Sequence, residues 1–378
     1  MDFTFTPSEL AFRDELRSFL TAQHPPSPAQ SFTAQLEWQR TLHRHNWVAP
    51  HWPVEFGGRG CSITEFALYV EEMGRHQVPQ IAGRVGVNMI GTTILAHGSP
   101  EQKGRYLPLM LAGDEIWCQM LSEPNAGSDL RSISTRARRK GDHWVVSGQK
   151  VWSSNAAEAQ FGLLFVRLDD AEGSGGTACL ICDMSAPGVE VRPLRQLTGD
   201  SEFCEVFLKD VCIPIGRVIG PVGRGWHVLQ TTLSNERGLS YPMKEQIVLS
   251  QHLERMLEHA RKEGLETSRP EVRDQLVQCV IQDRIFGLLN LRTLSKLASG
   301  AELGPEASLT KLFFANYAQR LHNTAMALKG VRAIAGDAED WTPTLWYRQS
   351  SIAGGTSEIQ RNILGEAALG LPREPQKS

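Results

Sequence analysis

The stretch that decides the fold is Ser122-Glu123-Pro124-Asn125-Ala126-Gly127-Ser128-Asp129, followed a little further on by Gly148-Gln149-Lys150-Val151-Trp152-Ser153-Ser154-Asn155. The first segment is a loop of small residues, rich in hydroxyls and backbone donors, and Gly127 lets another group come close. The second ends an alternating strand with an indole and two hydroxyls. Together they can line a flat, polar-edged heterocycle that carries phosphates.

Outward from this pair the period of the sequence changes twice. Residues up to about 115 read mostly as helices. Pro7-Ser8-Glu9 opens an amphipathic stretch through Phe12, Leu16 and Phe19-Leu20, which Pro25, Pro26 and Pro28 end. A second helix is expected from Ala34 to Asn46, the turn-rich loop Pro50 to Gly60 follows, helical patterns resume from Ile63, and Pro100 opens another after Gly98-Ser99. His143 to Val146, Phe161 to Leu168, Thr177 to Met184 and Glu205 to Leu208 are short β-branched or aromatic runs, which imply a compact β domain. After Gly220-Pro221-Val222-Gly223-Arg224-Gly225 the helical period returns in four long segments, broken near Gly264, Gly304 and Gly336. Pro242, inside the first, is expected to kink it or to lack a ladder bond there. The expected architecture is therefore α+β and multidomain: an N-terminal helical domain over 1–115, a middle antiparallel β domain over 116–220 and a C-terminal four-helix bundle over 221–378.

A chain of 378 residues with a net charge of −3 offers no large field of one sign, so nothing favours a nucleic-acid partner. The basic run Arg136-Ala137-Arg138-Arg139-Lys140 reads as a solvated turn before the hairpin signal Gly141-Asp142. Seven cysteines, an odd number, argue against a disulfide framework. Cys179 and Cys182 form a lone CxxC in a strand-like run, read as buried small apolar residues rather than a redox or metal pair. The N-terminal residues carry no basic region followed by an apolar one, and no apolar run approaches a membrane span, so the expected location is the cytoplasm. The glycines at 220, 223 and 225 do not spell GxGxxG, which disfavours a dinucleotide fold.

The two opening segments resemble the flavin-binding strands of acyl-CoA dehydrogenases, and Gly354-Gly355-Thr356-Ser357-Glu358-Ile359-Gln360-Arg361-Asn362 resembles that family's C-terminal motif. The resemblance covers nearly the whole chain and implies FAD as cofactor, an acyl-CoA thioester as substrate, electron-transfer flavoprotein as acceptor, and a homodimer, homotetramer or mixed oligomer. Carried over position by position, it assigns flavin contacts to Gln119, Leu121, Ser122, Ser128, Trp152, Ser153, Ser154, Thr356 and Glu358, with Ser128 also near the pantetheine arm. The bland alternatives are core packing for Trp152 and a helix cap for Ser128. Two family features are missing. Ser268 to Asp274 replaces an Arg-x-x-Phe-Gly motif, and Met326 to Arg332 replaces the Gln-x-x-Gly-Gly segment that holds the flavin diphosphate across subunits; Lys329 or Arg332 could stand in there.

The family reaction removes a proton from Cα and a hydride from Cβ, so a base must stand beside a stabilised enolate. The commonest family layout puts that base at the position of Gly354, which has no side chain. A minority, similar to isovaleryl-CoA, long-chain and bacterial steroid-side-chain dehydrogenases, carries a glutamate before an arginine on the first helix of the bundle. Here Glu236-Arg237 stands at that spot. Glu236 is then the candidate base, with a pKa expected to be raised by an apolar acyl tunnel, and Arg237 and Gly354 the candidate substrate contacts. The bland alternative for Glu236 is a solvated glutamate paired with Arg237 or Lys244. Ala353-Gly354 in place of an aromatic and a glutamate opens one wall, which suits a branched, cyclic or otherwise bulky acyl group. The rival functions are an oxygen-reacting oxidase or monooxygenase of the same fold, and a partner subunit with an incomplete site.

Overall fold

The structure, a computed structural model, describes residues 4–26, 31–169, 176–236, 239–265, 269–335 and 338–373. Along the chain come α1 (Pro7–Gln23), α2 (Phe32–Arg44), α3 (Ile63–Arg75), α4 (Thr92–His97) and α5 (Pro100–Ala112). The strands are β1 (Trp117–Met120), β2 (Arg136–Lys140), β3 (His143–Ser154), β4 (Phe161–Leu168), β5 (Thr177–Asp183), β6 (Val189–Leu194), β7 (Phe203–Pro214) and β8 (Val218–Ile219). Helices follow again: α6 (Gly225–Glu236), α7 (Ser240–Lys262), α8 (Pro270–Ala298), α9 (Glu306–Lys329), α10 (Val331–Ala335), α11 (Ala338–Trp346) and α12 (Ser357–Ile363). The order helices, sheet, helices is the one expected. Several starts are fixed by local chemistry: Thr6, Ser62 and Ser99 each close a capping box with Glu9, Glu65 and Gln102. No helix among the described residues is long and apolar enough to cross a membrane.

The chain packs as two compact units. One comprises Pro26–Cys61 and Pro79–Glu236, and so holds α2, α4, α5, the sheet and α6. Its strand order is β6-β7-β3-β2-β4-β5-β8, with β1 also on β4. The pairings among the described residues are antiparallel except for β1 and β2 against β4, which are parallel. Val146, Leu164, Val166, Leu180, Val206 and Val211 are buried in its core, and Phe32 and Leu36 of α2 pack against them. The run Arg136–Lys140 is not a turn but strand β2, in register with His143–Ser147. Only Ala137 of that strand is buried; the four cations face solvent, which hid a period-two pattern behind a charge run. The turn itself is Gly141-Asp142, with Gly141 at φ +64°.

The glycines before α6 do form the turn into that helix: Gly220 and Gly223 have φ +72° and +82°. Gly225 presses the helix start onto β5, where an added Cβ would lie 2.5 Å from the Ala178 backbone.

The other unit comprises Met1–Pro25, Ser62–Val78 and Arg237–Ser378. Its core joins Leu249, Leu253, Met256 and Ala260 of α7, spaced at helical intervals, to Leu276, Cys279 and Phe286 of α8 and Phe314, Tyr317 and Leu321 of α9. Shorter helices, α10 to α12, follow the three long ones. The expected first helix comprises α6 and α7, and Pro242 lies near the start of α7; residues 237 and 238, between the two, lie outside the described residues, and the expectation at Pro242 falls with them. The expected break at Gly336 lies outside the described residues. On the face of α3, Glu72 is buried and receives the Arg17 guanidinium of α1 at 2.7 and 2.8 Å.

Gly225→Ala should lower stability by about 1–3 kcal/mol through overpacking. Gly216→Ala, whose Cβ meets nothing within 4 Å, should stay within about 0.5 kcal/mol of the parent. Denaturant midpoints of the two variants check this.

Candidate active site

The Ser122–Asp129 loop is built by backbone first. Glu123 N–H donates to Ala126 O (3.0 Å) and Ala126 N–H to Glu123 O (3.1 Å), a tight turn that leaves Pro124, Asn125, Gly127 and Ser128 exposed. An added Cβ at Gly127 would meet nothing within 4 Å, so there is open space over the loop. Ser128 caps no helix: the short helical turn Leu130–Ser132 begins after Asp129 and has no side-chain cap.

What anchors this loop to β3 is an ion pair inside the protein. Lys150 Nζ lies 2.8 Å from Glu123 Oε1 and donates to Leu121 O at 3.0 Å. Glu123 also accepts from Ser134 N–H (2.6 Å), Ser134 Oγ (2.7 Å) and Thr135 N–H (2.9 Å). Lys150 is 0% and Glu123 5% exposed. Burial pushes the Glu123 carboxyl upward, but the hydrogen bond and charge of Lys150, with the Thr135 and Ser134 contacts, win and bring it down to about 2. The same burial lowers Lys150 to about 8 against the pull of Glu123. Val151 N–H then donates to Ser122 O at 2.9 Å, which ties the two segments a second time. Gly148 is required here because an added Cβ would lie 2.4 Å from Thr135 Oγ1. Glu123 and Lys150 were quoted in the motifs but given no role. The signal was present: Trp144, Val146 and Lys150 share one parity of β3, and that parity is inward.

Immediately beyond Lys150 the strand bulges. Lys150 pairs with Val206 and Ser153 with Cys204, so three steps on β3 match two on β7. Trp152 occupies the extra position at φ +63° with its indole 60% exposed, touching Phe203 edge-on at 6.0 Å between ring centroids. It is therefore not core. The bulge turns Ser153 inward: it is 0% exposed, and its Oγ has no hydrogen-bond partner in the protein. Ser153 therefore presents no accessible surface to a ring lying against Trp152, against the expectation of a flavin contact there. Ser154 is half-buried at the end of β3. On β1, Gln119 is half-buried and its Oε1 is a buried atom without a partner; just after the strand, Leu121 is buried and Ser122 half-buried. Gln119, Leu121, Ser122, Ser128, Trp152, Ser153 and Ser154 thus belong to one unit.

Gly354, Thr356 and Glu358 belong to the other. Thr356 caps α12 by accepting from Ile359 N–H at 3.3 Å, which leaves its own O–H to donate. Glu358 is exposed and pairs with Arg361 at 3.2 Å. Gly354 and Gly355 have φ +67° and +93°, and their carbonyls accept from the Gln360 amide. Lys311 Nζ also donates to Gly355 O at 2.6 Å. The residue at 354 is thus a backbone requirement as well as a missing carboxylate: any side chain there would strain the left-handed conformation. Glu236 is the last residue of α6; Arg237 lies outside the described residues. Cys179 and Cys182 are buried, with thiols pushed up to about 12 by burial, as small apolar groups would be. Cys179 Sγ approaches Gly225 O, whereas Cys182 joins the sheet core, so the two do not form a pair.

Comparison with known proteins places these features. Residues 6–114, 118–211 and 223–369 match the N-terminal, middle and C-terminal domains of acyl-CoA dehydrogenase. The chain is 36% identical over 365 residues to acyl-CoA dehydrogenase IpdE1 of Mycolicibacterium smegmatis, covering 93% of this chain and 91% of that one. Among solved structures, a Tcur3481-Tcur3483 steroid ACAD is similar at TM-score 0.85 and 26% identity, over 99% of this chain and 100% of that one. The ChsE4-ChsE5 complex from Mycobacterium tuberculosis is similar at TM-score 0.84 and 28% identity, over 99% of this chain and 100% of that one.

Breaking the buried pair from either side should be costly. Lys150→Met or Glu123→Gln alone should destabilise by about 3–5 kcal/mol, and the double replacement by clearly less than the sum. Because the Glu123 carboxyl is depressed, its contribution is full above the ordinary carboxylate range and is lost as pH falls toward about 2. Acid unfolding of the parent should be steeper below pH ~4.5 than that of the double variant. Equal acid profiles would contradict this.

Proposed function

Because the chain belongs to the acyl-CoA dehydrogenase family, we propose that it carries out FAD-dependent α,β-dehydrogenation of a bulky acyl-CoA thioester, with Glu236 as the base. The class itself is that of an FAD-dependent oxidoreductase acting on acyl-CoA. The residues fit such a cofactor: an exposed indole at the end of β3, open space over Gly127 and an unpartnered amide oxygen on Gln119 suit a flat ring with polar edges. Gln119, Ser122, Ser128, Trp152 and Ser154 would hold it, with Leu121 flanking; Thr356 and Glu358 are further proposed flavin contacts. When bound, FAD supplies the acceptor for the Cβ hydride.

The observation that carries the assignment of the base is the pairing of an absence with a presence. Gly354 has no carboxylate and is held in a left-handed conformation that favours glycine. The family's other position for the base is filled by Glu236 at the end of α6. Glu236 takes the Cα proton, and Arg237 and Gly354 border the acyl group. The missing bulk at Ala353-Gly354 favours a wide acyl chain, and the similarity to a protein described as a steroid ACAD supports that direction. Electrons leave to an electron-transfer flavoprotein in the cytoplasm. Assembly is as a homodimer, a homotetramer or a mixed oligomer, the last supported by the similar ChsE4-ChsE5 complex.

Glu236→Gln keeps size and polarity but cannot accept the proton. Flavin reduction by a good substrate should slow by ~10²–10⁴-fold, the usual contribution of a general base, while FAD stays bound. Stopped-flow absorbance under anaerobic conditions measures the rate. A variant that reduces its flavin at nearly the parent rate would place the base elsewhere.

A further inference from the structure

We propose that Lys150 and Glu123 are positioning residues that act through Trp152: the buried pair and the bulge beside it clamp the indole in a strained left-handed conformation, preset to receive FAD.

A bulky residue at positive φ is a true outlier, and strain of this kind persists only where the surroundings over-determine it. Packing does not explain it here. The indole is 60% exposed, and among the described residues its ring contact is the edge of Phe203. The second bulge in the same strand pair makes the contrast. Between Val146 and Gly148 two steps on β3 match three on β7, from Val211 to Leu208, and the extra residue region there contains Asp210 at φ +52°. Asp210 tolerates that conformation and uses it: its N–H donates to Ser147 Oγ (3.1 Å) and its Oδ1 accepts from Ser147 Oγ (3.0 Å). Asn155, three residues after Trp152, is at φ +53° and is again a residue type suited to it. At the β3–β7 strand pair the other two non-glycine left-handed positions hold Asp210 and Asn155, residue types suited to that turn; His24 and Gln77 take it at helix ends, outside the sheet. At 152 the chain uses Trp, so the requirement there is for the ring.

The clamp is visible on both sides. Lys150 is fixed inside by Glu123 and Leu121 O, and Val151 N–H is fixed to Ser122 O. On the far side Asn155 N–H donates to Glu202 O (2.8 Å), and Arg84 pairs with Glu202. The backbone on either side of Trp152 is held, and residue 152 takes up the mismatch.

The inference rests on the reading that Trp152 contacts FAD, and the test separates the two. In the full-length protein, Trp152→Asn should weaken FAD binding at least tenfold, while the FAD-free protein melts at or above the parent temperature, because Asn relaxes the strain. Trp152→Phe keeps a ring and should stay within a few-fold of the parent dissociation constant. The double variant Glu123→Gln/Lys150→Met, which removes both charges and keeps Trp152, should also bind FAD at least tenfold more weakly. Unchanged FAD affinity in Trp152→Asn would refute the contact and the inference with it. Weaker binding accompanied by a melting temperature several degrees below the parent would leave the contact standing and overturn the strain. Parent-like affinity in the folded double variant would overturn the role of the pair.

Discussion

The Lys150–Glu123 ion pair is the constraint on which the sheet unit's site depends. Both charges are buried, and each is held by more than one partner. A pair buried this way is not a cheap source of stability, since desolvation of two ions offsets much of their attraction. Its value is geometric. It joins the loop after β1, the start of β2 and the middle of β3 at one point, so that residues far apart in sequence are fixed within one hydrogen-bonded network. Glycine at 148 is the corollary: only a residue without a side chain lets Thr135 come that close to β3.

From this point the site is laid out by parity. Trp144, Val146 and Lys150 face inward, and a single extra residue then reverses the alternation, which puts Trp152 outside and Ser153 inside. A strand without the bulge would have sent the indole and the hydroxyl to other faces. The chemistry proposed for the chain needs a flat ring held against a firm surface and a base in place of the one missing at 354. The sheet unit supplies the surface. The proposed base, Glu236, is the last residue of α6, a helix whose start is pressed against β5 by Gly225.

Much of this was legible in the sequence because it was local. Caps, proline starts and β-branched runs marked the starts of α1, α3 and α5 and the bounds of β4 and β5 nearly to the residue. The family and its cofactor were legible because three motifs stand in order. What was not legible required knowledge of who meets whom. Arg136–Lys140 looked like a turn because its charges face water on a strand whose one inward side chain is only Ala137. Lys150 looked like part of a motif rather than a buried ion because its partner, Glu123, lies on another segment. The inward turn of Ser153 depends on a bulge that no period announces.

The activity proposed for this chain is the oxidation of a wide acyl-CoA. The most direct measurement is kcat/KM from anaerobic flavin bleaching across straight, branched and cyclic acyl-CoA thioesters, with the full-length FAD-loaded protein. The account predicts higher kcat/KM for branched or cyclic acyl groups than for the straight butyryl thioester. A clear preference for short straight chains, or no bleaching by any acyl-CoA, would contradict it.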